Sequence, residues 1–226
     1  MIKMFNLFLK DFYLIRKHLW VAMFYSFMMF FLFSSHESEL YGMIYSIGTT
    51  MIGYTMIMYT TAYDDKNNSE VFLNSLPISR SKIVLSRYIS IFMFIIIGVI
   101  SMMIASFVLK SFNILNISRM FKFHDFVNAL IGLCCISFLY LPVYFKYGYV
   151  KAKMFNLILF AIGFGGPMLI KNILRFTKKP LWLDKFIMYL HLAPKSVINL
   201  LFIIAVVILG LISFSISSII YRKREF

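Results

Sequence analysis

The residues able to do chemistry are few in this chain, and most of them stand in one stretch, Tyr63 to Tyr88, YDDKNNSEVFLNSLPISRSKIVLSRY. It holds Asp64, Asp65 and Glu70, three of the nine acids, together with Lys66, Arg80, Lys82 and Arg87. So many charges cannot lie in lipid, and they suit a surface on which something soluble docks. Within the stretch, Ser69 to Leu76 starts on a hydroxyl cap and an acid, then places Val71, Phe72, Leu73 and Leu76 as a short amphipathic helix would. Pro77 should stop that helix, because proline lacks an amide proton and pushes Leu76 toward an extended conformation. A second helical start at Ser79 leads through Arg80, Lys82 and Arg87 into the next apolar run.

Elsewhere the chemistry is thin. There is no HExxH and no G-x-S-x-G turn, so no catalytic residue is assigned. His18, His36 and His124 sit near the ends of apolar runs and His191 in a loop, where an imidazole is a boundary residue more often than a ligand. Cys134 and Cys135 are adjacent, which gives poor disulfide geometry, and lack nearby metal-ligand partners; no metal site is assigned. The glycine cluster Gly163, Gly165, Gly166 and Pro167 does not match a phosphate-cradling loop, so the chain cannot be its own ATPase. It reads either as an unwound point lining a pathway or as a kink that allows close helix packing. The run from Gly42 to Ala62 carries Tyr45, Ser46, Thr49, Thr50, Tyr54, Thr55, Tyr59, Thr60 and Thr61, either a polar translocation wall or a set of interhelical hydrogen bonds.

The elements that must hold these residues are membrane helices. With 61% hydrophobic residues and 14% charged, the 226-residue chain lies far from soluble domains. Six apolar runs follow one another: 19–33, 42–62, 89–109, 126–145, 154–170 and 197–221. None of them contains Asp, Glu, Lys, Arg or His, which argues against a proton-coupled carrier. About 20 residues are needed to span the hydrocarbon, so the first and fifth rely on their flanks. Residues 1–17 precede them; Lys3, Asn6, Lys10 and Lys17 fall within roughly a 60° arc, with Met4, Phe5, Phe8, Phe12 and Ile15 opposite, as in a helix lying in the interface. Charges interrupt any would-be signal-peptide core there, so the segment should be retained.

Six spans put both termini on one side. With the termini inside, 14 basic residues lie in cytoplasmic segments and 9 in outer ones, so the positive-inside rule places both termini, and 63–88, in the cytoplasm. The net charge of +14 reflects these flanks beside anionic lipid, with no basic cluster suited to nucleic acid. The outer loop 171–195 dissents with six basic residues; its middle, LWLDKFIMYLHL, reads as a short amphipathic helix on the outer face or as a solvated loop with an aromatic anchor. No internal repeat relates the halves.

The amphipathic start, the six spans and the charged loop between spans two and three together resemble the ABC-2 type permeases, the membrane subunits of ATP-driven exporters. Glu70 to Tyr88 is similar to the E-x-x-L-x-S-L-P-I-S-R-x-x-I-V-x-x-R-Y signature of small bacterial members, a group that includes bacteriocin, peptide-resistance and phenol-soluble-modulin exporters. The resemblance implies an all-α integral membrane protein with six transmembrane helices, an N-terminal interfacial connecting helix and a cytoplasmic coupling helix between spans two and three. It makes Asp65, Glu70, Phe72, Leu73 and Arg80 docking candidates for a separate ATP-binding subunit, with Lys3, Lys10 and Lys17 on the connecting helix beside the same partner. ATP and magnesium would belong to that subunit and no cofactor to this chain. A second permease copy or a paralogous permease is implied, with an amphipathic peptide as substrate. Tyr45, Thr49, Tyr54, Thr55, Gly165 and Pro167 are pathway candidates. A rival reading is a stand-alone membrane immunity or scaffold protein that binds a peptide or partner and moves nothing; an ion-coupled carrier with a site at the glycine cluster is a third.

Overall fold

The computed structural model describes residues 2–33, 38–115, 117, 119–158 and 195–224, and all regular structure among them is helical. An apolar run interrupted only by hydroxyls has no alternative in lipid, where every backbone N–H must find its partner within the segment. The helices are α1 (Ile2–Arg16), α2 (Leu19–Phe33), α3 (Ser38–Lys66), α4 (Ser69–Ser75), α5 (Arg80–Ser111), α6 (Phe123–Tyr147), α7 (helical over 149–158) and α8 (Lys195–Lys223).

The expected spans at 42–62, 89–109, 126–145 and 197–221 each lie inside a longer helix, and 19–33 coincides with α2. Among the described residues, three helices are long and apolar enough to cross a membrane, in α5, α6 and α8, and α2 is a shorter apolar one. The hydroxyls of α3 dilute its apolar character. The expected fifth span is helical over 154–158; its remainder, the glycine cluster and the outer-loop residues 171–194 lie outside the described residues.

The long helices alternate in direction. Near one end, here called the base, the ends of α3, α6 and α8 meet the start of α5 and one another through contacts such as Asp64 with Arg87, Arg80 with the α8 terminus, and Arg224 with the Phe145 carbonyl. At the far end the α5–α6 connection meets the start of α3: the Tyr45 hydroxyl donates to the Arg119 carbonyl at 3.2 Å, and Arg119 pairs with Asp125 at 2.6 Å. Both α1 and the end of α8 lie at the base.

The core runs where α3, α5, α6 and α8 meet, the largest interfaces being α6–α8, α3–α5 and α3–α6. Small residues set the α3–α5 spacing: a Cβ on Gly98 would stand 2.9 Å from the Thr49 carbonyl oxygen. Helix α2 buries only Ala22, Ser26 and Phe30, one stripe at every fourth residue, while Trp20, Phe24, Phe31 and Leu32 point outward. Apolar side chains on all faces, with one stripe packed, suit a helix with lipid on its other sides.

Candidate functional site

The charged stretch folds as a bracket across the base. Helix α3 continues through Asp64 and Asp65 to Lys66, α4 follows, and α5 begins at Arg80, so the interruption between long helices is only 67–79. Leu76 is extended (φ −77°, ψ 149°) ahead of Pro77, as the proline demands. The cap differs from expectation: Ser69 is the first helical residue, and Asn68 precedes it in the left-handed region (φ 46°) with no side-chain cap bond. Asparagine tolerates that conformation, which turns the chain sharply out of α3.

Each docking candidate on α4 has a definite place. Leu73 is 6% exposed in a groove it shares with Leu7, Leu76 and Ile78; Phe72 stands at the edge of that groove but is 66% exposed, and Val71 is 58% exposed. Glu70 pairs with Arg224 at 3.0 Å, and Asn74 donates to the Tyr221 hydroxyl at 3.0 Å. Burial pushes the Glu70 carboxyl above its usual range, with Arg224 and the Tyr144 hydroxyl pulling it back. Arg80 donates to the carbonyls of Arg222 (2.8 Å) and Arg224 (2.9 Å), so its guanidinium closes the C-terminus of α8. Asp65 is exposed, and its carboxylate lies 3.5 Å from the Tyr149 backbone nitrogen, at the start of α7.

Beneath this bracket lies a charge cluster that the sequence reading did not assemble. Arg87 on α5 is ion-paired with Asp11 on α1, at 2.8 Å, and with Asp64 on α3. Lys10 donates to both Asp64 oxygens, at 2.9 and 3.0 Å, and Ser90 donates to Asp11 at 2.7 Å. Two acids and two bases are thus gathered with Asp11 1% exposed, Asp64 3% and Arg87 7%. The Lys10 ammonium is pushed down to about 7 by burial and by the Arg87 charge, against the pull of Asp11.

The cluster corrects the expected face of α1. Its buried stripe is Leu7, Asp11 and Ile15, with Lys10 half-buried, while Phe12, on the apolar side expected to face the lipid interface, is exposed. The reason is electrostatic: Arg87 needs carboxylates, and Asp11 can supply one only from the packed face. Lys17 is exposed at the end of the helix, and the Lys3 side chain lies outside the described residues. The spacing held one signal, a lone acid sitting four residues from Leu7 and from Ile15 on an otherwise apolar stripe.

Set beside known proteins, the chain matches the family model described as ABC-2 family transporter protein across residues 6–222. The chain belongs to the ABC-2 transporter family. No individual curated protein and no solved structure matches it. Membership makes it the membrane component of a transporter and accords with the apolar helices; an ATP-binding partner is what the family in general works with.

Among the pathway candidates of this ABC-2 chain, Tyr45 and Thr49 are fully buried. Thr55 donates to the Ile52 carbonyl within its own helix at 2.8 Å, and Tyr54 packs edge-on against Tyr140. The neighbouring hydroxyls face α6: Thr50 Oγ1 is 3.2 Å from the Ala129 carbonyl and Ser46 Oγ 3.3 Å from that of Asp125, each with a shorter bond of 2.8 Å to a carbonyl of α3 itself, while Thr61 and Tyr140 share a hydroxyl bond of 2.8 Å. The Thr49 Oγ1 is buried without a hydrogen-bond partner among the described residues. Gly165 and Pro167 lie outside those residues. Cys134 and Cys135 are both free thiols, the first packed in the core. Among the described residues, no group of His, Cys, Asp and Glu could hold a metal ion.

Proposed function

We propose that this chain is the permease half of an ATP-driven exporter of amphipathic peptides, with six spans, both termini in the cytoplasm, and α4 as the coupling helix. The observation that carries this reading is the two-faced character of α4. One face is anchored by Leu73, Asn74 and the Glu70–Arg224 pair, while Val71 and Phe72 stand outward as neighbouring apolar side chains on an otherwise charged end of the molecule. A short helix held to α8 and carrying exposed apolar residues is suited to receive force from a soluble partner and pass it to the long helices.

In this reading the ATP-binding subunit holds ATP and magnesium and seats Val71 and Phe72. Asp65, Glu70, Leu73 and Arg80 shape the docking surface, Glu70, Leu73 and Arg80 by fixing α4 against α1 and α8. A second permease, identical or paralogous, completes the membrane domain. Support for an even number of spans comes from α1 and the end of α8 lying at the same end as α4. Spans without fixed charge and with hydroxyls on α3 suit an amphipathic peptide better than an ion.

The test is co-purification in mild detergent with ATP-binding subunits from the same cells, comparing wild type with Val71→Asp/Phe72→Asp. Both positions are exposed, so the double variant should fold and lose a stoichiometric ATPase. If wild type brings down no ATPase, the exporter loses its engine and the immunity or scaffold reading replaces it. The substrate assignment has its own check: export that tracks a small hydrophilic solute and ignores amphipathic peptides removes it.

A further inference from the structure

A second concavity, distinct from the groove under α4, opens between α1 and the end of α3. It has a volume of 480 Å³ and is lined by Lys10, Tyr13, Leu14, Lys17, Tyr63 and Asn67. Its polar groups are two ammoniums, two phenols and an amide, with no carboxylate in the lining. Asp64, the carboxylate that Lys10 meets, is also paired with Arg87. Lys10 gives two protons to Asp64 and stands 3.8 Å from Asp11, so its ammonium is shared with those carboxylates and Lys17 is the cation most open to a ligand. Lys17 is exposed and makes no ion pair with any described residue. The Tyr63 hydroxyl is set in place by His18 Nε2 at 3.1 Å, and the His18 ring stacks on Tyr59 with centroids 4.4 Å apart.

We infer that this cleft holds the phosphate of an anionic phospholipid from the surrounding leaflet, with Lys17, Lys10 and Asn67 around the headgroup. The chemistry alone would suit any phosphate; position selects the lipid. Lys17 stands in the turn between α1 and the apolar helix α2, which is where the water-facing surface gives way to hydrocarbon. Tyr13 is 64% exposed on one side of that turn and Trp20 70% on the other, aromatic rings of the kind that sit at headgroup level. A ligand with its charge on Lys17 therefore has its acyl chains directed along the exposed aromatic and aliphatic side of α2, including Phe24. An anion beside Lys10 would favour its charged form, which couples the lipid to the ion cluster that pins α1 to α3 and α5. The inference needs only that the chain is embedded in a bilayer, not that it transports.

Trp20 supplies the probe. In a Trp182→Phe background it is the remaining tryptophan, and the full chain reconstituted into phosphatidylcholine vesicles can be challenged with brominated phosphatidylglycerol or brominated phosphatidylcholine as contact quenchers. Phosphatidylglycerol should be preferred at Trp20 by about fivefold, the worth of one lysine at an anionic surface. Lys17→Glu should abolish the preference, while Lys151→Glu, an exposed base elsewhere at the base of the bundle, should keep it. An unchanged preference in Lys17→Glu overturns the site. Equal loss in Lys151→Glu makes the effect one of general surface charge and overturns it as well. Loss of the preference in millimolar inorganic phosphate would show that the cleft takes the free anion and not the lipid.

Discussion

Arg87 illustrates how a buried charge is tolerated here, and what happens when it is not matched. Its guanidinium faces two carboxylates from two other helices, so Arg87→Met would strand Asp11 with Ser90 as its hydrogen-bond partner and leave Asp64 to Lys10. Breaking such a pair costs about 3–5 kcal/mol, and the melting temperature in detergent should fall accordingly. Asp11→Asn together with Arg87→Met should cost less than the two single changes summed, because each partner's loss makes the other's charge a liability. Additive losses in that cycle would mean that the pair does not act as a unit. At Glu70 the sign of the pH effect is fixed by its raised carboxyl. Between its unfolded value and the higher folded one, the folded chain binds more protons than the unfolded chain, so this contribution is complete at low pH and is lost as pH rises through the folded value. Glu70→Gln should flatten that part of the stability profile, and Arg224→Ala should extend it toward neutral pH. The charges themselves were legible in the sequence, but the partners of Arg87 were not, since Asp11 lies 76 residues away and no local pattern joins them.

At the scale of elements, the sequence already held the break at Pro77, the short helix before it and the apolar middles of the long helices, whose ends run beyond the apolar runs. It did not hold the rotation of α4. Val71, Phe72, Leu73 and Leu76 read alike as apolar, and only the positions of α1 and of Tyr221 decide that Leu73 turns in while Phe72 turns out. The two should separate cleanly. Leu73→Ala removes a packed side chain and should destabilise the isolated chain by about 2–4 kcal/mol, lowering its melting temperature in detergent. Phe72→Ala should change that stability by no more than about 0.5 kcal/mol, because its ring already faces solvent. The reverse order would mean that α4 is turned the other way. The same argument explains Lys10: an arc of lysines suggested a solvated face, but pairing with Asp64 draws Lys10 inward.

For the molecule as a whole, the fastenings differ from one level to the next. Ion pairs tie α1, α3 and α5 at the base, hydroxyls of α3 meet α6 along the middle, and Arg119 with Asp125 closes the far end. The hydroxylated run, legible as polar, left open whether it lined a pathway or joined helices; Thr61 bonds the Tyr140 hydroxyl of α6, while Ser46 and Thr50 make their shorter bonds to carbonyls of α3 itself, since a hydroxyl in hydrocarbon is cheapest when a neighbouring oxygen takes its proton. Between α3 and α5, above the Arg87–Asp64 pair, the Tyr45 hydroxyl meets Ser106, and elsewhere contact depends on shape. The Cβ that Gly98→Ala would introduce meets the Thr49 carbonyl oxygen at 2.9 Å, a backbone atom that cannot yield unless the helices part. The Cβ of Gly48→Ala would meet the Met102 side chain, at 2.6 Å from its terminal methyl, and a thioether can swing aside. The more crowded distance should therefore be the milder change. Gly98→Ala should cost about 1–3 kcal/mol and Gly48→Ala well under that, read as melting temperatures of the purified chain in the same detergent. Equal losses would mean that α3 and α5 are free to adjust their spacing. A larger loss at Gly98 would mark the pair as one rigid block, so that any alternation of access in a transport cycle must occur at other seams of the bundle.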